Sequence, residues 1–173
     1  MKEKYLWLLG FLLVILSFSL DNYFVLDRIS GLNSIIAGFS WLTNGWFSLI
    51  FVGFFVFFLK FDLIFKYFIG FGFTAGVVYG LKELIQRARP LDTILDASGF
   101  SFPSGHAAFA FFALGFIWND FKKFKWVWLI VSILIVIARL YVGAHYLSDI
   151  AFGMFIGFVF GNLFRRVKTG SLF

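Results

Sequence analysis

The sequence predicts an all-α, polytopic membrane protein with six transmembrane helices, and three observations carry that prediction. Of the 173 residues, 61% are hydrophobic and only 14% charged, far from the balance of a soluble domain. Apolar runs recur along the whole chain between short polar clusters, which fits several spanning helices rather than one anchor on a soluble domain. Glycines recur in the third run, at Gly70, Gly72, Gly76 and Gly80, where small residues let neighbouring helices approach. With no linker and no convincing repeat, residues 1–173 read as a single transmembrane domain.

The elements follow in order. After a basic start at residues 1–4, residues 5–20 form a 16-residue apolar run covering roughly 24 Å, a slightly short first span. Ser17, Phe18 and Ser19 would also suit the cleavage site of a signal peptide, but the run is read as helix one. Residues 21–44 are mixed, with Ile29, Leu32, Ile35, Ile36 and Phe39 at helical spacing, which predicts a short amphipathic piece at the membrane surface. Helices two to six are predicted over residues 46–59, 62–87, 104–118, 126–141 and 146–164.

Loop charge sets the orientation. With both termini cytoplasmic, that side holds ten Lys/Arg (Lys2, Lys4, Lys60, Lys66, Lys122, Lys123, Lys125, Arg165, Arg166 and Lys168), against five opposite, Arg28, Lys82, Arg87, Arg89 and Arg139. The net charge of +6 fits anionic partners, yet the basic residues are scattered in loops, which argues for lipid phosphates in the bilayer and against nucleic acid. The absence of cysteine excludes a disulfide framework and a thiolate metal site and leaves the redox compartment open.

Three polar clusters fall at the outer ends of helices three, four and five. In the first, Lys82 and Arg89 are seven apart and would share one face of a continuous helix until Pro90 discourages it, so both could reach one anion. The same residues also suit a basic membrane flank that snorkels to the interface. In the second, SFPSGHAA, Ser104 is placed as N-cap with the Gly105 and His106 amides facing outward, a site for an anion; alternatively His106 is merely interfacial. In the third, Gly143 offers a turn after Arg139, after which His145 and Asp149 are four apart and can share a helix face. Asp149 can then accept the Nδ1 hydrogen and leave Nε2 as nucleophile or base, or the two form a buried pair that only locks helices together. Taken together, three cations, a helix N-terminus and two imidazoles, one backed by a carboxylate, are what displacement at a phosphate needs.

These residues resemble the three-part signature of the type 2 phosphatidic acid phosphatase (PAP2) superfamily, which also includes vanadium haloperoxidases. The pattern is Lys, six residues, Arg-Pro; then Pro-Ser-Gly-His; then Ser-Arg, five residues, His, three residues, Asp. Lys82 to Pro90, Pro103 to His106 and Arg139 to Asp149 keep all three spacings, and Ala138 stands where the family often has Ser. The resemblance covers roughly residues 62–165. It implies a six-helix core and a metal-independent phosphatase without cofactor. In that reading His145 attacks phosphorus and forms a phosphohistidine, Asp149 orients it, and His106 protonates the leaving oxygen and later deprotonates water. Lys82, Arg89, Arg139, Ser104 and the Gly105 amide hold the phosphoryl oxygens.

The site would face the exterior of the cytoplasmic (inner) membrane, so the implied substrate is a lipid phosphate reached sideways from the bilayer. Lipid A 1-phosphate, undecaprenyl pyrophosphate, phosphatidylglycerophosphate and phosphatidic acid are the candidates. A compact chain without soluble insertion looks most like the small bacterial lipid A 1-phosphatases. A transporter also places charges in a bundle, but near its midplane rather than at one end. A haloperoxidase would use a similar oxyanion pocket, though its relatives are soluble, and a metallophosphatase would have to use Asp92 and Asp96 in a loop.

Overall fold

The computed structural model describes residues 2–21, 29–95 and 98–167. Among the described residues the chain forms seven α-helices and no strand. These are α1 (Lys2–Leu20), α2 (Asn33–Leu42), α3 (Gly45–Leu59), α4 (Ile64–Ile85), α5 (Gly105–Ile117), α6 (Phe124–Tyr141) and α7 (Leu147–Arg166). The predicted all-α membrane architecture is therefore present, as expected where hydrocarbon leaves each segment to satisfy its own backbone. The six predicted spans are α1 and α3 to α7. By length and composition alone, α4 with its preceding 3-10 turn, α6 and α7 can cross a membrane. The pair α2 and α3, bent by 58°, makes a fourth crossing if taken as one, and α1 and α5 are shorter apolar helices.

α5 is short because it is the hub. Every residue from Ala107 to Ile117 is buried, so its 13 residues need not match the bilayer by themselves. α3, α4, α6 and α7 all pack on it. Phe112 and Phe116 meet Tyr67 of α4, and the Trp128 indole of α6 donates to the Ala110 carbonyl at 2.9 Å. The outward faces of the other helices stay apolar, as at Phe54 and Ile69, 58% and 64% exposed, where lipid tails rather than water are the neighbours.

The closest contact, between α5 and α7, rests on glycine. A Cβ at Gly153 would lie 2.6 Å from the Ser104 carbonyl oxygen, and those at Gly157 and Gly161 would collide with the Ala108 and Phe112 carbonyls. This spacing of four lets the two backbones touch, the packing that drives helix association where lipid is as apolar as the side chains. The expectation for α4 is corrected accordingly. Only Gly70 meets neighbours there, Phe164 and Phe112, while a Cβ at Gly72, Gly76 or Gly80 would meet open space. The inward stripe of α4 is instead Tyr67, Gly70, Phe71, Thr74 and Val78. Gly157→Leu is expected to lower the melting temperature of the detergent-solubilised protein sharply, costing at least the ~1–3 kcal/mol of ordinary overpacking. Gly76→Ala, in open space, should leave it unchanged or raise it.

The segment expected to be a short amphipathic piece leaves one face exposed, at Ile35, Trp41 and Leu42, and packs the other on the bundle. Residues 22–28, including Arg28, lie outside the described residues, but α2 packs on α6. Ser40 is fully buried there, and the Tyr141 hydroxyl donates to Asn33 Oδ1 at 2.9 Å. α1 runs antiparallel to α7: Trp7 meets Phe158, Phe11 meets Phe155, and Asp21 meets Ser148. The ends of α1, α4 and α6 and the starts of α3, α5 and α7 thus gather on one side, around the polar clusters. On the opposite side Arg165 of α7 binds Asp120 in the loop between α5 and α6.

Candidate active site

Six of the eight candidate residues, Lys82, Arg89, Gly105, His106, Arg139 and His145, line a single cavity of about 680 Å³. The two that do not line it stand immediately behind. Asp149 is fully buried next to His145, and Ser104 is fully buried at the N-cap of α5.

The first cluster converges by a different route from the one expected. α4 stops at Ile85 because Gln86 takes a left-handed conformation, φ 50°, so Lys82 and Arg89 do not share a helix. A loop returns instead. Lys82 Nζ donates to the Phe100 carbonyl at 2.6 Å. Arg89 donates to the carbonyls of Gly99 (3.0 Å), Ser98 (3.0 Å) and Ala144 (2.8 Å). Arg139, in the last turn of α6 and 6% exposed, donates from Nη1 to the Ser40 hydroxyl at 2.7 Å. The hydrogen-bond partners of these three cations among the described residues are all neutral, and the carboxylate whose charge reaches Lys82 and Arg89, Asp149, is itself bound to Arg87.

Two atoms sharpen this picture. Ser104 Oγ and Arg139 Nε are buried side-chain polar atoms with no hydrogen-bond partner among the described residues. Such atoms are rare in folded proteins, and a bound water, ion or ligand is among the groups that can satisfy them. Ser104 is the N-cap residue of α5, as its sequence suggests, but its hydroxyl makes no capping hydrogen bond, and its backbone N–H donates to the Asp149 carbonyl at 3.0 Å. The first amides of α5 have no acceptor within their own helix and carry the positive end of its dipole.

The third cluster turns at Gly143, φ 67°, as its sequence suggests. His145 then sits in the loop before α7 rather than on its face. Its Nδ1 donates to the Ser101 carbonyl at 2.8 Å, while Asp149 Oδ2 lies 3.6 Å away, an ion-pair neighbour beyond hydrogen-bond range. The consequence for Nε2 is the one anticipated: with the proton on Nδ1 it keeps its lone pair, and it lies 3.5 Å from Arg89 Nη1. Burial pushes the His145 imidazole down from 6.5 to about 4, with the charges of Arg139 and Arg89 adding to it and Asp149 opposing it. Burial likewise lowers the Arg89 guanidinium.

Several partners were not legible in the motifs. Ser40 joins α2 to the site through the Arg139 contact. Its only signal is a polar residue in an otherwise apolar stretch. The Ser101 carbonyl that fixes the His145 tautomer has no side-chain signal at all. Arg87 counts in the sequence as a loop charge, yet it binds Asp149 directly. Asp96, half of the carboxylate pair considered for a metal, lies outside the described residues.

An all-helical membrane protein whose one end holds three cations and two imidazoles around a cavity defines a class that acts on anions at a bilayer. The model of the PAP2 superfamily matches residues 47–171, and the chain belongs to that superfamily. Over 100 residues it is 34% identical to phosphatidylglycerophosphatase B of Bacillus subtilis (strain 168), covering 51% of this chain and 48% of that protein. Over 58 residues it is 41% identical to the bacitracin transport permease protein BcrC of Bacillus licheniformis, covering 33% of this chain and 28% of that protein. The matched stretches thus span about half the length of these relatives or less. The fold is similar to the crystal structure of the first transmembrane PAP2 type phosphatidylglycerolphosphate phosphatase from Bacillus subtilis. There the TM-score is 0.71 and the identity 26%, over 95% of this chain and 94% of that one. It is also similar to Aquifex aeolicus LpxE, with TM-score 0.69 and 23% identity over 86% of this chain and 92% of that one.

Proposed function

We propose that the chain is a lipid phosphate phosphatase that passes the phosphoryl group of a membrane lipid to His145 and then to water. The observation that carries this reading is the pair of orphaned donors, Ser104 Oγ and Arg139 Nε, among cations with neutral partners. A phosphate dianion supplies both missing bonds and the missing negative charge. Lys82, Arg89, Arg139, Ser104 and the Gly105 amide hold its oxygens. His145 Nε2 attacks in line, the P–O bond to the lipid breaks, and His106 gives its proton to the leaving oxygen. Water, deprotonated by His106, then attacks the phosphohistidine and releases inorganic phosphate and free His145. Charge stabilisation comes from the cations and the helix terminus, so no metal is needed.

Lipid is the favoured substrate because the cavity continues between α3 and α4 along apolar walls, among them Trp46, Leu49, Phe68 and Phe71, with Gly72 and Ala75 leaving room. The phosphatidylglycerophosphatase relatives support phosphatidylglycerophosphate as the head group. Lipid A 1-phosphate, the preference drawn from the compact chain, comes second. In this reading α1 and α3 to α7 each traverse the inner membrane, both termini are cytoplasmic, and the site opens to the exterior. The name of the permease relative favours transport as the alternative, but here the charged residues sit at one end of the bundle.

The test is phosphate release by the purified protein in detergent with EDTA, across phosphatidylglycerophosphate, lipid A, undecaprenyl pyrophosphate and phosphatidic acid. Metal-independent release, fastest from phosphatidylglycerophosphate, is expected. No release from any of the four would remove the phosphatase reading and leave transport.

A further inference from the structure

The Asp149 carboxylate is held by Arg87, a residue inside the first motif but outside its fixed positions, and Arg87 is in turn held from the end of α1, which carries none of the three motifs. Arg87 Nη1 donates to Asp149 Oδ1 at 2.7 Å and to the Ser148 hydroxyl at 2.6 Å. Its other nitrogen, Nη2, donates to Asp21 Oδ2 at 2.8 Å. Asp21, at the end of α1, closes the ring by accepting from the Ser148 backbone N–H at 2.8 Å and from the Ser148 hydroxyl at 2.6 Å. The Arg87 guanidinium also lies over the Tyr146 ring, 4.1 Å from its centroid, and the Tyr146 N–H donates to Asp149 Oδ2 at 2.9 Å. Both carboxylates are shielded, with side-chain exposures of 7% for Asp21 and 0% for Asp149.

Charge and geometry give this ring a task. Asp149 alone beside Arg87 would be a neutral pair with little field left for the imidazole 3.6 Å away. A second carboxylate on the other side of Arg87 restores one net negative charge to the group. That charge is in demand when His145, neutral before attack, acquires positive charge on forming its bond to phosphorus. Asp21 also fixes where Arg87 points, and Arg87 fixes the oxygen of Asp149 that does not face His145. We propose that Asp21 is a positioning residue for the reaction at His145, acting through Arg87 and Asp149. The seat of α1 on α7 thereby becomes part of the catalytic support. This inference rests on the phosphatase reading above.

The experiment compares steady-state kinetics of Asp21→Asn and Arg87→Lys with wild type, on the best lipid phosphate, normalised to folded protein by size-exclusion chromatography. Asp120→Asn serves as control, since it breaks a half-buried ion pair at the far end of α7. For both test variants kcat should fall by about ten-fold or more, the low end for removing a partner one layer behind a working group. KM should stay within about two-fold, because Asp21 and Arg87 do not line the cavity. The control should keep the wild-type kcat. Unchanged kcat in folded Asp21→Asn and Arg87→Lys would overturn the proposal, and so would a loss no larger than that of Asp120→Asn. Failure of both test variants to fold would assign the ring to stability alone and overturn it too. A wild type that releases no phosphate would defeat the phosphatase reading itself, whereas an active wild type with unaffected variants defeats only this inference.

Discussion

His145→Ala should abolish phosphate release, by at least about 10⁴-fold in kcat, while the protein still inserts and folds. The size follows from the proposed covalent step: without Nε2 there is nothing to accept the phosphoryl group, and the cations alone can only bind it. Folding should survive because the ring's direct bonds are few. Nδ1 donates to one backbone carbonyl, that of Ser101, and the Arg89 contact at 3.5 Å is marginal. Substrate binding should persist, since Lys82, Arg89 and Arg139 take their partners elsewhere, so the variant should still compete as an inhibitor-binding form. The pH profile adds a second check. Burial holds the His145 imidazole at about 4, and the nucleophile is the neutral form. Activity from this group is therefore present above that value and lost as pH falls through it. The acid limb of kcat/KM assigned to His145 should lie well below the ordinary imidazole value of about 6.5. Near-normal release by a properly inserted His145→Ala protein would remove the phosphohistidine step.

What the sequence discloses and what it conceals follow from distance along the chain. Helix positions were legible because apolar runs are local, and the turn at Gly143 because only glycine takes φ 67° without strain. The eight candidate residues could be nominated from the sequence because their fixed spacings survive whatever path the chain takes between them, and six of them line one cavity. The path itself was not. Lys82 and Arg89 meet across a left-handed Gln86 and a returning loop, which a seven-residue helical spacing cannot express. The support of the site was hidden for the same reason. Ser40 reaches Arg139 across 99 positions, and Asp21 reaches Ser148 across 127, so neither pair has a local signature. Glycine was misplaced in a related way. A four-residue spacing on α7 and the glycines of α4 look alike in sequence, and only the carbonyls opposite Gly153, Gly157 and Gly161 distinguish a contact from open space.

His106→Ala should have the next largest effect, and its size should depend on the leaving group. His106 lines the same cavity as His145, in the first turn of α5. There an arriving phosphate dianion supplies the negative charge that favours a protonated imidazole. On a lipid phosphate the leaving alkoxide needs that proton, so kcat should drop by about 10²–10⁴-fold, the usual worth of a general acid. A nitrophenyl phosphate leaves without protonation, so formation of the phosphohistidine should be nearly spared. Hydrolysis of that intermediate still needs a base for water, and His106 is the group proposed to serve. The variant should therefore release about one equivalent of nitrophenolate in a rapid burst and then turn over slowly, the signature of a trapped covalent intermediate. The lipid substrate should give no burst, because its first step is the one impaired. Rapid-mixing measurements with both esters separate the two roles. An absent burst with the aryl ester would take the acid role from His106 and leave it as a phosphate ligand. A burst followed by wild-type turnover would take away the base role instead.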